Sequence, residues 1–251
     1  MTPREPHSRH VTRWAASALI VAVAASGWFA THRELPHYLP PDTSAFVASF
    51  LPPPADASPQ TRQELDELLN LQGTRTPETV KAAQDDSHKD VSRFYEALGF
   101  DPAHSPDLPQ LESLTNAVEK DVGRYVNAAK QHFTRDRPYL REPRLKPCIT
   151  GVEDHNSFPS GHATYGFVMA YLLVEMVPER RSVLLRRASL FAEARAICGV
   201  HYPSDLIAGK EAAVWLSQRI LQDPGYLEAA EPAKRELRAA LKLPAARPPG
   251  G

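Results

Sequence analysis

Residues Leu111–Phe133 read LESLTNAVEKDVGRYVNAAKQHF, and this stretch decides the fold. Leu114, Val118, Tyr125 and Ala129 recur at helical spacing, with polar and charged residues between them, so the pattern predicts one long amphipathic helix. Lys130 falls at the edge of its apolar stripe.

The same period continues outward in both directions. Ser58-Pro59 opens a helix carrying Leu65, Leu68 and Leu69, which Gly73 is expected to end; Thr76-Pro77-Glu78 opens the next. Val91 to Leu98 is a third candidate, stopping before Gly99. On the C-terminal side, residues 137–158 read as an irregular loop leading to Pro159-Ser160-Gly161-His162 and an apolar helix, Ala163–Val177. A helix from Glu179 to Cys198, one from Pro203 through Trp215 to Leu221, and a terminal one over Pro232–Leu241 follow. No sustained alternating pattern with hairpin turns interrupts them. The expected fold is all-α, a single-domain helical bundle over residues 58–243, after an extended proline-rich lead-in (27–57) and before a disordered tail (244–251).

Three short segments inside this frame carry chemistry: KQHFTRDRP (Lys130–Pro138), PSGH (Pro159–His162) and RAICGVHYPSD (Arg195–Asp205). A phosphomonoester carries nearly two negative charges, which fixed cations must hold through the transition state. Lys130, Arg137 and Arg195 supply those cations, and arginine pairs two phosphate oxygens at once. Pro159 is placed to open a helix, and Ser160 and Gly161 fall where first-turn amides bind anions. His201 would attack phosphorus, with Asp205 holding its other ring nitrogen. His162 would protonate the leaving alkoxide and then activate water. Pairing with Asp205 is expected to raise the pKa of His201; the three cations oppose this, so the sequence does not fix a pH optimum. Each piece alone has an ordinary reading, as a solvated charge, a helix end or a first-turn acid. Arg195 resists it: Leu184, Ala188, Phe191 and Arg195 share one face, which places a guanidinium in an apolar stripe that needs an anionic partner.

Lys130, six residues, Arg137-Pro138; then Pro159–His162; then Arg195, five residues, His201, three residues, Asp205: this spacing resembles the type 2 phosphatidic acid phosphatase and vanadium haloperoxidase superfamily. Within it the bacterial class A non-specific acid phosphatases are most similar, including the Phe50–Pro54 stretch. The resemblance spans about Pro40 to Leu221. It implies a bundle with catalytic groups on helix ends and loops at one mouth, small phosphomonoester substrates, a phosphohistidine intermediate, and no metal or other cofactor. One position departs from the pattern: Ala194 stands where the family usually has serine.

Residues 1–26 look like an export signal. Arg4, Arg9 and Arg13 precede an apolar run from Trp14 to Ala25, with cleavage expected after Ala24 or Ser26. The alternative is an uncleaved anchor, which would suit a lipid phosphate phosphatase. Export implies a periplasmic or secreted protein and an oxidising compartment, where Cys148 and Cys198 either bridge or stay as two buried thiols. The apolar run after His162 is too short to span a bilayer and is stopped by Pro178.

The composition, 42% hydrophobic and 24% charged with formal net charge −1, is that of a globular protein. It has no basic stripe, which argues against nucleic acid as a partner. A homo-oligomer is left open. Of the rival functions, a haloperoxidase would be much longer than this chain. A metal site from Asp154, His155, His162, His201 and Asp205 lacks a recognised ligand spacing and would face repulsion from the cations.

Overall fold

The long helix predicted from residues 111–133 runs from Pro109 to Phe133 in the computed structural model, which describes residues 37–151 and 153–245. The expected export signal, the start of the lead-in and most of the expected tail lie outside these residues. In chain order the helices are α1 (Ser44–Val47), α2 (Pro59–Thr74), α3 (Pro77–Asp85), α4 (Tyr95–Leu98), α5 (Pro109–Phe133), α6 (Pro138–Arg141), α7 (Gly161–Met176), α8 (Arg181–Ile197), α9 (Pro203–Ile220) and α10 (Pro224–Ala240). No strand occurs among the described residues, and the fold is all-α.

α7 is the axis of the bundle because its sequence is apolar on every side. From Ala163 to Met176 only Tyr171 and Glu175 escape burial, the signature of a helix surrounded by others rather than one with a wet face. α8 and α9 flank it, α5 packs against its start, and α10 lies against α5. α8 buries Leu184, Ala188, Phe191 and Arg195, the stripe read from sequence.

Several boundaries differ from expectation, each for a local reason. α2 continues through Gly73 to Thr74, because glycine permits a stop without forcing one. The break comes at Arg75 and Thr76, both extended ahead of Pro77, where a residue before proline avoids the helical region. α7 starts at Gly161 rather than Pro159: Ser160 is the N-cap, and its hydroxyl accepts the Ala163 amide. α8 begins at Arg181 after a 3₁₀ turn, Pro178–Arg180. α10 begins at Pro224, capped by Asp223, and Pro232 lies inside it. Burial of Tyr226, Ala233 and Leu237 on one face outweighs the one backbone bond that Pro232 removes. The loop after Arg137 contains the single turn α6.

The lead-in is not simply extended either. Its turn α1 buries Phe46 against Tyr125 and Trp215, at 5.3 and 5.2 Å between ring centroids. The buried Asp121 of α5 accepts the amides of Tyr38 and Leu39 at 2.6 and 3.1 Å, which fastens the segment to the long helix.

The C-terminus of α8 places two of the expected site residues. Gly199 takes the left-handed conformation (φ 67°) that a side chain resists. Its amide bonds the Ala196 carbonyl at 2.8 Å, and that of Val200 reaches back to Arg195 at 3.1 Å. This pair of bonds is a Schellman closure. It reverses the chain within three residues, so that His201 comes back beside the helix end that carries Arg195.

Candidate active site

Six of the expected residues meet at one cavity of about 200 Å³. Its walls include Lys130, Arg137, Gly161, His162, Arg195 and His201, together with Lys89 and Asn127. Lys130 comes from the last turn of α5 and Arg137 from the N-cap of α6. His162 lies in the first turn of α7, Arg195 in the last turn of α8, and His201 just before α9.

His201 is buried (2% exposed) and held at both nitrogens. Nδ1 is 3.2 Å from Asp205 Oδ2, and Nε2 is 2.7 Å from a terminal nitrogen of Arg137. A guanidinium has no acceptor, so Nε2 carries the lone pair and Nδ1 the proton. That tautomer leaves Nε2 without a proton at the cavity wall.

Asp205 is fully buried and serves four donors. Oδ2 accepts from His201, the Ser157 hydroxyl (2.6 Å) and the Tyr202 amide (3.0 Å), while Oδ1 accepts from Arg135 (2.7 Å). It is therefore both a first-turn acid closing the N-terminus of α9 and the orienter of His201. Burial opposes its ionisation. The bond and charge of His201, the Arg135 charge and the Ser157 hydroxyl more than offset this, holding its carboxyl well below the usual carboxylate range.

The cations differ in how they are spent. Arg137 donates through Nε to the Glu153 carbonyl (3.0 Å) and through a terminal nitrogen to the Val200 carbonyl (2.8 Å). The Lys130 ammonium bonds the carbonyls of Asn156 and Ser157; burial and the neighbouring Arg137 bring its pKa down to about 7. Arg195 is 1% exposed, and among the described residues its Nε and one terminal nitrogen have no hydrogen-bond partner. Burial, then Arg137, lowers its pKa to about 10.

Burial, then Arg137, also pushes His201 well below the ordinary histidine value, so the expected rise from Asp205 is outweighed. His162 is likewise lowered, first by burial and then by Arg195. Its Nε2 lies 2.8 Å from the Ser87 carbonyl, and its ring stacks on Phe191 at 5.7 Å.

Not every expected residue reaches the cavity. Ser160 is fully buried, and its hydroxyl is spent on capping α7. Its backbone amide donates to the Asp205 carbonyl at 3.0 Å, joining the starts of α7 and α9. Ala194 packs in a small apolar cluster with Ile149, Cys198 and Val200 instead of on the cavity wall. Asp154 and His155 are placed elsewhere, the first accepting from the Tyr139 hydroxyl and the second paired with Asp136. Cys148 and Cys198 are bridged, which resolves the alternative left open by the sequence.

Sequence reading missed the supports: Arg135, Ser157, Glu64, Lys89 and the Ser87 carbonyl. Arg135 has no assigned role in the Lys130–Pro138 segment, yet it is buried, lies over Tyr202 (3.8 Å) and pairs with Asp205 and Glu64. A backbone carbonyl leaves no side-chain signature at all.

The same region is recognised by comparison. A family model described as the PAP2 superfamily matches residues 114–223. The non-specific acid phosphatase of Salmonella typhimurium is 28% identical over 208 residues, covering 78% of this chain and 82% of that one. The acid phosphatase of Zymomonas mobilis subsp. mobilis is 26% identical over 201 residues, covering 75% and 74%. A lipid A 1-phosphatase of Rhizobium johnstonii is 32% identical over 106 residues, covering 41% and 39%. Lys130, Arg137, His162, Arg195 and His201 all lie inside the matched segment and gather on one cavity, so residues 114–223 carry a PAP2 superfamily domain.

Proposed function

We propose that this protein is an exported acid phosphatase that hydrolyses small phosphomonoesters through phospho-His201, with no metal. The observation that carries the reading is Arg195, a buried guanidinium with two nitrogens unpartnered among the described residues, on the wall of a cavity that also holds the His201 lone pair. A phosphoryl group supplies the anion that such a buried cation needs.

In this reading Lys130, Arg137 and Arg195 hold the phosphoryl oxygens, and the first-turn amides at Gly161 and His162 add to them. An arriving phosphate draws the Arg137 fork from Nε2 onto its own oxygens. His201 Nε2 then forms a bond to phosphorus as the ester P–O bond breaks, and the electron pair leaves on the alkoxide, which takes a proton from His162. Asp205 stabilises the imidazolium so formed. In the second half His162 removes a proton from water, the water oxygen bonds phosphorus, and the P–N bond breaks to regenerate neutral His201. Ser160 supports the site through its cap instead of touching phosphate.

Export is supported by the Cys148–Cys198 bridge, because disulfides persist in oxidising compartments. Among the described residues no helix is long and apolar enough to cross a membrane. The likeness to a lipid A 1-phosphatase favours a second reading, a lipid phosphate phosphatase. Turnover of phosphatidate against a nucleoside monophosphate separates the two.

The test is phosphate release from p-nitrophenyl phosphate with and without chelator and vanadate, together with acid-labile phosphoenzyme in quenched reactions. Activity should survive chelator, fall with vanadate, and lose both turnover and phosphoenzyme in His201→Ala. Near wild-type activity in that variant would remove the proposed nucleophile.

A further inference from the structure

α3 ends at Asp85, and the next residue, Asp86, is buried at 5% exposure. Two arginines from different elements grip its carboxylate. Arg187 of α8 reaches both oxygens, one of them at 2.9 Å, and Arg93 donates through Nε at 3.0 Å. Arg187 also donates to the Arg93 carbonyl at 2.8 Å, so the three side chains form one unit. The Arg187 guanidinium lies over the Phe191 ring at 5.4 Å, and that same ring stacks on His162. Taking the Asp86 carboxylate and the Arg187 guanidinium largely out of water is costly, and such a cluster is better explained by the geometry it fixes than by net stability.

The residue after Asp86 reaches the site. The Ser87 carbonyl sits 2.8 Å from His162 Nε2. A carbonyl only accepts, so Nε2 carries a proton whether the ring is neutral or charged, and Nδ1 is the nitrogen left to exchange a proton with substrate. Asp86, Arg93 and Arg187 do not line the cavity that holds His201; they line a separate cleft walled by Arg187, Leu190, Ala194 and Ile197 of α8.

We infer that Asp86, clamped by Arg93 and Arg187, is a positioning residue for proton transfer. It holds the Ser87 carbonyl on His162 Nε2, so that Nδ1 delivers the proton to the leaving group. The inference rests on the reading of His162 as the general acid. The Ser87 bond also favours the charged ring, against burial and against Arg195, Lys89 and Lys130, which disfavour it.

The measurement is kcat/KM for p-nitrophenyl phosphate and for glycerol phosphate in the wild type, Asp86→Asn, Arg187→Lys and His162→Ala. A nitrophenolate leaves with little protonation, whereas an alkoxide depends on it. Asp86→Asn should lose about tenfold more activity on glycerol phosphate than on p-nitrophenyl phosphate, a fraction of the full general-acid effect. Arg187→Lys keeps the charge without the fork and should show the same bias; it carries the test if Asp86→Asn does not accumulate as folded protein. If His162→Ala is biased and both clamp variants lose activity equally on the two substrates, Asp86 is merely structural and the inference is overturned. If His162→Ala itself shows no bias, the general-acid reading fails and takes the inference with it.

Discussion

Arg195 and Lys130 show how burial sets what a cation can do. Arg195 keeps its charge even with its pKa lowered to about 10, and it offers a planar guanidinium with two nitrogens unpartnered among the described residues. Arg195→Lys should therefore cut kcat/KM roughly a hundredfold, the scale of losing one preorganised donor at developing charge. It should also weaken inhibition by vanadate in parallel. Full activity with lysine would reduce Arg195 to a point charge. Lys130 is different: with its pKa brought down to about 7, it is a cation below that pH and neutral above it. The free enzyme should thus lose phosphate affinity, and kcat/KM should fall, as pH rises through about 7. Arginine stays charged throughout, so Lys130→Arg should abolish that alkaline limb even if its maximum is lower. An unchanged limb in the variant would assign it to another group.

At the scale of elements, the site depends on how closely α7 and α9 approach. A Cβ on Gly209 would lie 2.7 Å from the Ser160 carbonyl oxygen and 2.8 Å from the Ala163 Cβ, and neither can swing aside as a flexible side-chain end would. Gly209→Ala must separate the start of α7, which carries Gly161 and His162, from α9, which carries Asp205. A loss of about 1–3 kcal/mol is expected, with turnover reduced at temperatures where the protein is still folded. Gly73→Ala is the control. Nothing lies within 4 Å of a Cβ there, and the position is helical, so stability should rise by up to about 1 kcal/mol. Paired thermal melts and kcat values for the two variants decide this. The contrast also explains what could be read in advance. Leu114, Val118, Tyr125 and Ala129 announced α5 because period and burial are local properties, and the Arg195 stripe announced its own burial. Ser58 and Thr76 marked helix starts by their capping chemistry. Gly209 looked like any helical glycine, since its constraint comes from a chain segment some fifty residues away. Arg135 gave no signal because Glu64, Tyr202 and Asp205 reach it only in three dimensions. Proline alone was an uneven guide to helix starts: Pro203 does open α9, but Pro159 lies outside α7 and Pro232 lies within α10.

For the whole molecule, the bridge between Cys148 and Cys198 ties the loop after Arg137 to the end of α8, closing a span of 50 residues. The Cys148 amide also bonds the Cys198 carbonyl at 3.2 Å, so the crossing is backbone as well as sulfur. Further contacts converge there. Arg75 donates to the carbonyls of Ile197 and Lys146, and Gln84 to that of Cys148, which seats α2 and α3 on the same junction. Removing the bridge in Cys148→Ser/Cys198→Ser frees the unfolded chain, and loop-closure entropy for a span of this size is worth about 4 kcal/mol. For a chain of this length that corresponds to a fall in Tm of roughly 8–16 °C. The effect on catalysis should be selective. Arg137 is held by the Glu153 carbonyl on one side and the Val200 carbonyl on the other, and the bridge couples the two segments that supply them. Below the melting transition KM should therefore rise while kcat changes less, because Arg137 is a proposed phosphate contact and His201 keeps its own bond to Asp205. Treating the wild type with reductant should reproduce the variant. If the double serine variant melts as the wild type does and keeps its KM, the bridge contributes neither to the fold nor to the placement of Arg137, and the backbone contacts alone hold the junction.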